Sequence, residues 1–189
     1  MLGSIVKTIE PSGTALLLID VINDFEFQEC RDLLRFAIPA AKKIATLKRR
    51  LKAAGVPIIY VNDNFGHWKS DFRDQIERCI QASSKGREVA SMLVPDAEDY
   101  FVLKPKHSGF YSTSLDVLLG YLGVDTLILT GVAGDICVLY TANDAYMRDY
   151  KLIIPFDCIA SETEGKNKSA LEHMGSLLKA RVIRSSSIR

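Results

Sequence analysis

Short runs of consecutive apolar residues recur along this chain, separated by stretches in which apolar residues return every three or four positions. Runs at residues 14–19, 56–61, 100–103, 126–130 and 152–155 have the length and character of strands buried on both faces. A shorter run near 181–184 predicts one more strand at the end of the sheet. Between them lie helical stripes. Pro39 opens a helix carrying Ile44, Leu47 and Leu51 and closing at Gly55. Phe72, Ile76, Cys79 and Ile80 mark a second, which puts Cys79 on a core face. Leu115, Leu118, Leu119 and Leu122 mark a third, with Thr113 and Asp116 as its capping pair and Gly123 as its end. Val138, Ala142 and Ala145 form a fourth stripe, and Ala170, Met174, Leu177 and Leu178 a fifth. Residues 83–99 show no period and are expected to be irregular.

Strands alternating with helices predict an α/β fold: a three-layer αβα sandwich around a mostly parallel, Rossmann-like sheet of about six strands. The 189 residues suit a single domain spanning 1–189. No repeat, low-complexity segment or interdomain linker interrupts them.

Composition narrows the setting. Apolar residues make up 48% and charged residues 25%, as in ordinary globular proteins, and the formal charge of +1 gives no footprint for nucleic acid or an acidic membrane surface. Lys42, Lys43, Lys48, Arg49, Arg50 and Lys52 cluster on one predicted helix and read as its solvated face. With no apolar run of membrane-spanning length and no signal-peptide pattern at the start, the expected location is the cytoplasm. Cys30, Cys79, Cys137 and Cys158 lack metal or C-x-x-C spacing and are expected as free thiols.

Three strands end in residues able to do chemistry. Asp20 directly follows the first strand, where a carboxylate is either a turn cap or a group delivered to the sheet's ligand-binding edge. Lys104 ends the third strand, just before Pro105. Cys137 sits where the fourth strand hands over to a helix, and the unpaired N–H groups and dipole of a first turn favour thiolate over thiol. Such a cysteine is either a nucleophile or a small buried hydrophobe. In a parallel sheet all three share one edge.

Three blocks, LLLIDVINDF at 16–25, LKPKHSGFYSTSLD at 103–116 and LILTGVAGDICVLYTANDA at 127–145, resemble the isochorismatase-like cysteine hydrolases, which include nicotinamidases, N-carbamoylsarcosine amidases and ureidoacrylate amidohydrolases. The resemblance spans nearly the whole chain. It implies a triad of Asp20, Lys104 and Cys137, a cis peptide between Val132 and Ala133, and an oxyanion hole from the N–H groups of Ala133 and Cys137. It implies a small amide substrate, cleaved at its C–N bond through a thioester acyl-enzyme, and assembly into dimers or larger homo-oligomers. In that mechanism Asp20 takes the thiol proton, returns it to the leaving nitrogen and activates the hydrolytic water, while Lys104 supplies a cation.

The sequence also departs from the family. Ile22 stands where glutamine is frequent, and Gly134 and Asp135 where Thr and Asn are common; an Asp135 that caps the helix has its charge partly absorbed there. Nicotinamidases of this family commonly hold zinc or iron through an aspartate and several histidines after the second strand. Here that segment offers only Asp63 and His67, with His107 and His173 elsewhere, so no metal and no cofactor is expected. Phe25, Asn64, Trp68 and Tyr111 fall in loops at the carboxyl edge and are the expected substrate-binding residues. Cys158 reads as a structural thiol. Two other activities share these residues: vinyl-ether hydrolysis of the isochorismatase type, which the resemblance associates with absence of the nucleophilic cysteine, and a thiol-based binding or redox-sensing module without turnover. No G-x-G-x-x-G follows the first strand, so a dinucleotide site is not indicated.

Overall fold

A computed structural model of the chain describes residues 9–28, 30–66, 68 and 71–189. Among these, seven strands form one sheet: β1 (Thr14–Ile19), β2 (Ile58–Asp63), β3 (Tyr100–Lys104), β4 (Thr126–Val132), β5 (Lys151–Pro155), β6 (Ile159–Ala160) and β7 (Arg181–Ile183). Every pairing is parallel, in the order β3-β2-β1-β4-β5-β7, with β6 pairing onto the end of β4. The seventh strand is β6. Its two residues are too few to leave a periodic signal.

Six helices cover the sheet: α1 (Cys30–Ala53), α2 (Phe72–Ile80), α3 (Arg87–Met92), α4 (Leu115–Tyr121), α5 (Leu139–Tyr146) and α6 (Glu164–Ser176). Side chains alternate along each strand. Leu16, Leu18 and Tyr60 therefore pack with α1, α2 and α3, while Ala15, Leu17, Ile19 and Val61 pack with α4, α5 and α6. This is the expected three-layer sandwich.

Several boundaries differ from the sequence reading. α1 begins at Cys30 rather than Pro39, because the stripe of Leu33, Ala37, Ala40 and Ala41 extends the buried face backwards. Packing and the good helix propensity of Leu, Ala and Arg outweigh the one donor that Pro39 lacks. β2 starts two residues late. Pro57 has no N–H to give a ladder, although its carbonyl accepts from Leu16 N, and Val56 N turns back to Leu51 O. Residues 83–99 contain α3, whose six residues are too short for a detectable period. At α4 the hydroxyl of Thr113 accepts from Leu115 N, but Asp116 completes no box; it faces Arg148 and Tyr150 instead. Leu177 lies past the end of α6 and is exposed.

Lys48 is the largest electrostatic departure. It is buried rather than part of a solvated face: its ammonium lies 2.7 Å from Asp99 Oδ2 and donates to Tyr60 Oη at 3.0 Å, tying α1 to the segment before β3. A period-based reading places it on the edge of the stripe and cannot see the carboxylate that meets it.

Among the described residues, no helix is long and apolar enough to cross a membrane.

Candidate active site

Strand order locates the site. From β1 the chain steps outward through β2 to β3, then returns to the other side of β1 as β4 and proceeds to β5 and β7. The carboxyl ends of β1 and β4 therefore flank the point where the winding reverses, the usual place for a ligand crevice in an open α/β sheet. The two ends approach closely because residue 131 is glycine. At its φ of 119° a side chain is strained, and an added Cβ would stand 2.0 Å from the carbonyl oxygen of Ile19.

Four chemically active side chains meet at this edge. Asp20 leaves β1 in the left-handed region, φ 52°, a conformation Asp tolerates better than most residues. Its Oδ1 accepts from Asp63 N at 2.6 Å, and its Oδ2 lies 2.9 Å from Lys104 Nζ. Asp63, the last residue of β2, directs its own Oδ2 to within 3.4 Å of the same ammonium. Lys104 Nζ stands 3.7 Å from Cys137 Sγ, and the thiol also bonds to Asp20. Lys104 is fully enclosed and Asp20 is only 4% exposed, whereas Cys137 is partly open.

Cys137 belongs to a π turn, Gly134–Val138, in which Val138 N donates to Ala133 O, five residues back. The Val132–Ala133 peptide that leads into it is cis. The N–H groups of this turn act on the thiol together with its buried surroundings. Burial, and then the negative charge of Asp20, push the thiol well above its ordinary range, with Lys104 acting only partly against them. Burial also raises the Asp20 carboxyl despite the neighbouring ammonium. For Lys104 burial acts downward, but Asp20, Cys137 and Asp63 outweigh it and hold the ammonium above its usual value. The resting site is thus a thiol beside a carboxylate of raised proton affinity, locked to an ammonium.

The expected pocket residues fare differently. Phe25 is fully buried, its φ of 55° turning the ring into the α1–α3 core beside Phe27, with Asn23 Oδ1 accepting from its N–H. Asn64 uses its side chain locally, accepting from Gly66 N at 3.0 Å. Trp68 and Tyr111 are 77% and 57% exposed. Ile22 is buried, and its carbonyl accepts from Asn62 Nδ2 and Gln75 Nε2; the latter also donates to Asp63 O, so Gln75 supports the carboxylate from α2. Asp135 caps no helix, and its Oδ1 is buried with no hydrogen-bond partner among the described residues.

Two side chains that the sequence pattern does not assign to the site also stand at it: Asp63, a second carboxylate on Lys104, and His107, whose Nδ1 lies 3.9 Å from Cys137 Sγ. A polar residue ending a strand beside β1 was the available signal for Asp63. For His107 it was the distance of three residues from Lys104.

All four cysteines are free, and burial pushes the Cys79 and Cys158 thiols up to about 12. Among the described residues, no group of three or more His, Cys, Asp or Glu side chains is arranged to hold a metal ion. His67 lies outside the described residues.

Residues 14–187 match the family model described as the isochorismatase domain. The chain is 44% identical to YaaI, an isochorismatase family protein of Bacillus subtilis (strain 168), over 89% of this chain and 92% of that protein. It is 31% identical to the ureidoacrylate amidohydrolase RutB of Serratia proteamaculans (strain 568), over 78% of this chain and 69% of the relative. Among solved structures, the N-carbamoylsarcosine amidase of Thermoplasma acidophilum superposes with a TM-score of 0.65 at 33% identity, covering 94% of this chain and 99% of that one.

Proposed function

Since the chain belongs to the isochorismatase family, we propose that it is a cysteine hydrolase cleaving the C–N bond of a small amide, with Cys137 as nucleophile, Asp20 as proton carrier and Lys104 as the organising cation. The single observation that carries this reading is the convergence at Lys104: three residues from the ends of three strands, with the ammonium 2.9 Å from Asp20 and 3.7 Å from Cys137. Relatives named as amidohydrolase and amidase support the same bond type.

In the reaction, Asp20 accepts the Cys137 proton as sulfur attacks the substrate carbonyl carbon. The raised proton affinity of the carboxyl suits that transfer, and Lys104 offsets the charge gathering on sulfur. The N–H groups of Ala133 and Cys137 hold the developing oxyanion, at about 3 kcal/mol per donor as in other acyl-transfer sites. Asp20 then hands its proton to the leaving nitrogen, and water releases the acyl group from the thioester. A sensor reading gains no support, because a thiol held neutral by burial and Asp20 is a poor spontaneous target for oxidation.

Ammonia release from a panel of ureido, carbamoyl and carboxamide compounds tests the proposal. The wild-type protein is expected to turn over at least one of them and Cys137→Ala none; undiminished turnover by the variant would falsify the role of the thiol. Assembly into homo-oligomers belongs to the same proposal, supported by the exposed Val117 and Tyr121 on α4, and sedimentation measures it.

A further inference from the structure

We propose that Asp63 is a positioning residue of the reaction, the standing counterion that keeps Lys104 paired whenever Asp20 carries a proton; the inference rests on Cys137 being the nucleophile and Asp20 its base. The Lys104 ammonium has three protons and, among the described residues, three acceptors: Asp20 Oδ2 at 2.9 Å, Asp63 Oδ2 at 3.4 Å and Cys137 Sγ at 3.7 Å. Two of the three change during catalysis. Asp20 is neutral once it holds the thiol proton, and sulfur is neutral once it is acylated. The lysine side chain is 0% exposed, so its charge has no water to turn to. Asp63 lies off the proton path and supplies the carboxylate whose charge persists.

The sheet itself builds this arrangement. Asp63 and Lys104 are register partners on β2 and β3, so their side chains leave the same face side by side, and Asn64 N donates to Lys104 O at 3.1 Å just beyond them. Asp63 is then held at three of its atoms. Its Oδ1 accepts from Phe65 N at 2.8 Å, its carbonyl accepts from Nε2 of the buried Gln75 at 3.0 Å, and its N–H donates to Asp20 Oδ1 at 2.6 Å. An aspartate that only formed the turn after β2 would use Oδ1 on Phe65 N and leave Oδ2 to solvent; here Oδ2 faces the ammonium. The titratable groups around that ammonium are Asp20 after β1, Asp63 on β2 and Cys137 in the π turn, with His107, from the segment after β3, 3.9 Å beyond at the sulfur.

In acylation the sulfur bonds to the carbonyl carbon, the thiol proton passes to Asp20 and on to the leaving nitrogen, and the C–N bond breaks with its electron pair on that nitrogen. In deacylation Asp20, again a carboxylate, takes a proton from water as the water oxygen bonds to the acyl carbon. The C–S bond then breaks with its pair on sulfur, which recovers the proton. Each half-reaction therefore passes through an uncharged Asp20 beside an enclosed ammonium. A buried charge that loses its only counterion is strongly disfavoured, and Asp63 prevents that loss. Standing against Asp20, it also favours moving negative charge off the Asp20 oxygens towards sulfur and substrate.

The test uses the full chain and p-nitrophenyl acetate, an activated ester that acylates thiols. The burst of p-nitrophenolate reports acylation of Cys137, and its amplitude counts the folded sites. Its rate is followed across the acid range, where it falls as Asp20 takes up a proton from solvent. Asp63→Asn and Asp63→Ser remove the charge and keep an oxygen for Phe65 N. In both, the burst is expected to slow about 10-fold or more at its maximum. Its midpoint is expected to move to lower pH by about 1 unit, because a carboxylate freed of a neighbouring negative charge binds its proton less tightly. Asp63→Glu, which keeps the charge, is expected to hold the wild-type midpoint. A wild-type rate and midpoint in the uncharged variants overturn the assignment. So does a slower burst at the wild-type midpoint, the result of lost geometry alone, or a midpoint that moves as far in Asp63→Glu as in Asp63→Asn. A wild-type protein without a burst, or a burst that survives Cys137→Ala, instead overturns the nucleophile reading beneath it.

Discussion

The Lys104 ammonium lies 2.9 Å from the Asp20 carboxylate, with the lysine side chain 0% and the aspartate side chain 6% exposed. Such a pair is expensive to break from one side, because the remaining charge stays buried without its partner. Lys104→Met is expected to lose about 3–5 kcal/mol of stability in urea unfolding, together with amide turnover. The double variant Lys104→Met/Asp20→Asn, which removes both charges with a residue that tolerates the φ of 52°, is expected to be more stable than Lys104→Met and equally inactive. Equal stability of wild type and Lys104→Met contradicts the pairing.

Alkylation of Cys137 by iodoacetamide reads the electrostatics directly. Burial first, then Asp20, holds the thiol above its ordinary range, so the rate is expected to climb only in the alkaline region. Removing a negative charge stabilises thiolate. Asp20→Asn is therefore expected to move the profile to lower pH by about 1 unit or more, and Asp63→Asn by less, whereas Lys104→Met moves it higher. A wild-type plateau already reached below neutral pH would mean a resting thiolate and contradict this.

Lys48 supplies a stability prediction remote from the chemistry. Its side chain is 8% exposed and that of its partner Asp99 is 1%. Lys52 also lies 2.7 Å from Asp99 and keeps that carboxylate paired, so Lys48→Met is expected to cost about 1.5–3 kcal/mol, seen as a lower thermal midpoint, while the folded fraction keeps its turnover per molecule. Unchanged thermal stability would show that the buried pair contributes nothing.

These residues mark where sequence reasoning reaches and where it stops. The strands were legible because both of their faces are buried, so Leu16–Leu18 or Leu127–Leu129 read as continuous apolar runs. Asp20 and Lys104 were legible because a charged residue ending such a run has a fixed address in a parallel sheet. What a side chain meets through space was not. Lys48 shares its helix with solvated lysines, yet finds Asp99; Phe25 sits in a loop by pattern, yet its backbone turns it into the core. The proton affinity of Cys137 is set by the same kind of meeting. Its local place at a turn favours thiolate, while burial and the nearby Asp20 carboxylate push the thiol upward. His107 carried only a weak signal, its place three residues after Lys104, because its approach to the Cys137 sulfur is made through space.

The most direct measurement is an acid quench of the wild-type protein during turnover of an amide it hydrolyses, followed by peptide mapping of the trapped acyl group. The account predicts that group on Cys137, and on none of the buried thiols of Cys30, Cys79 and Cys158. Turnover that leaves Cys137 unmodified at every quench time and continues in Cys137→Ala would contradict it.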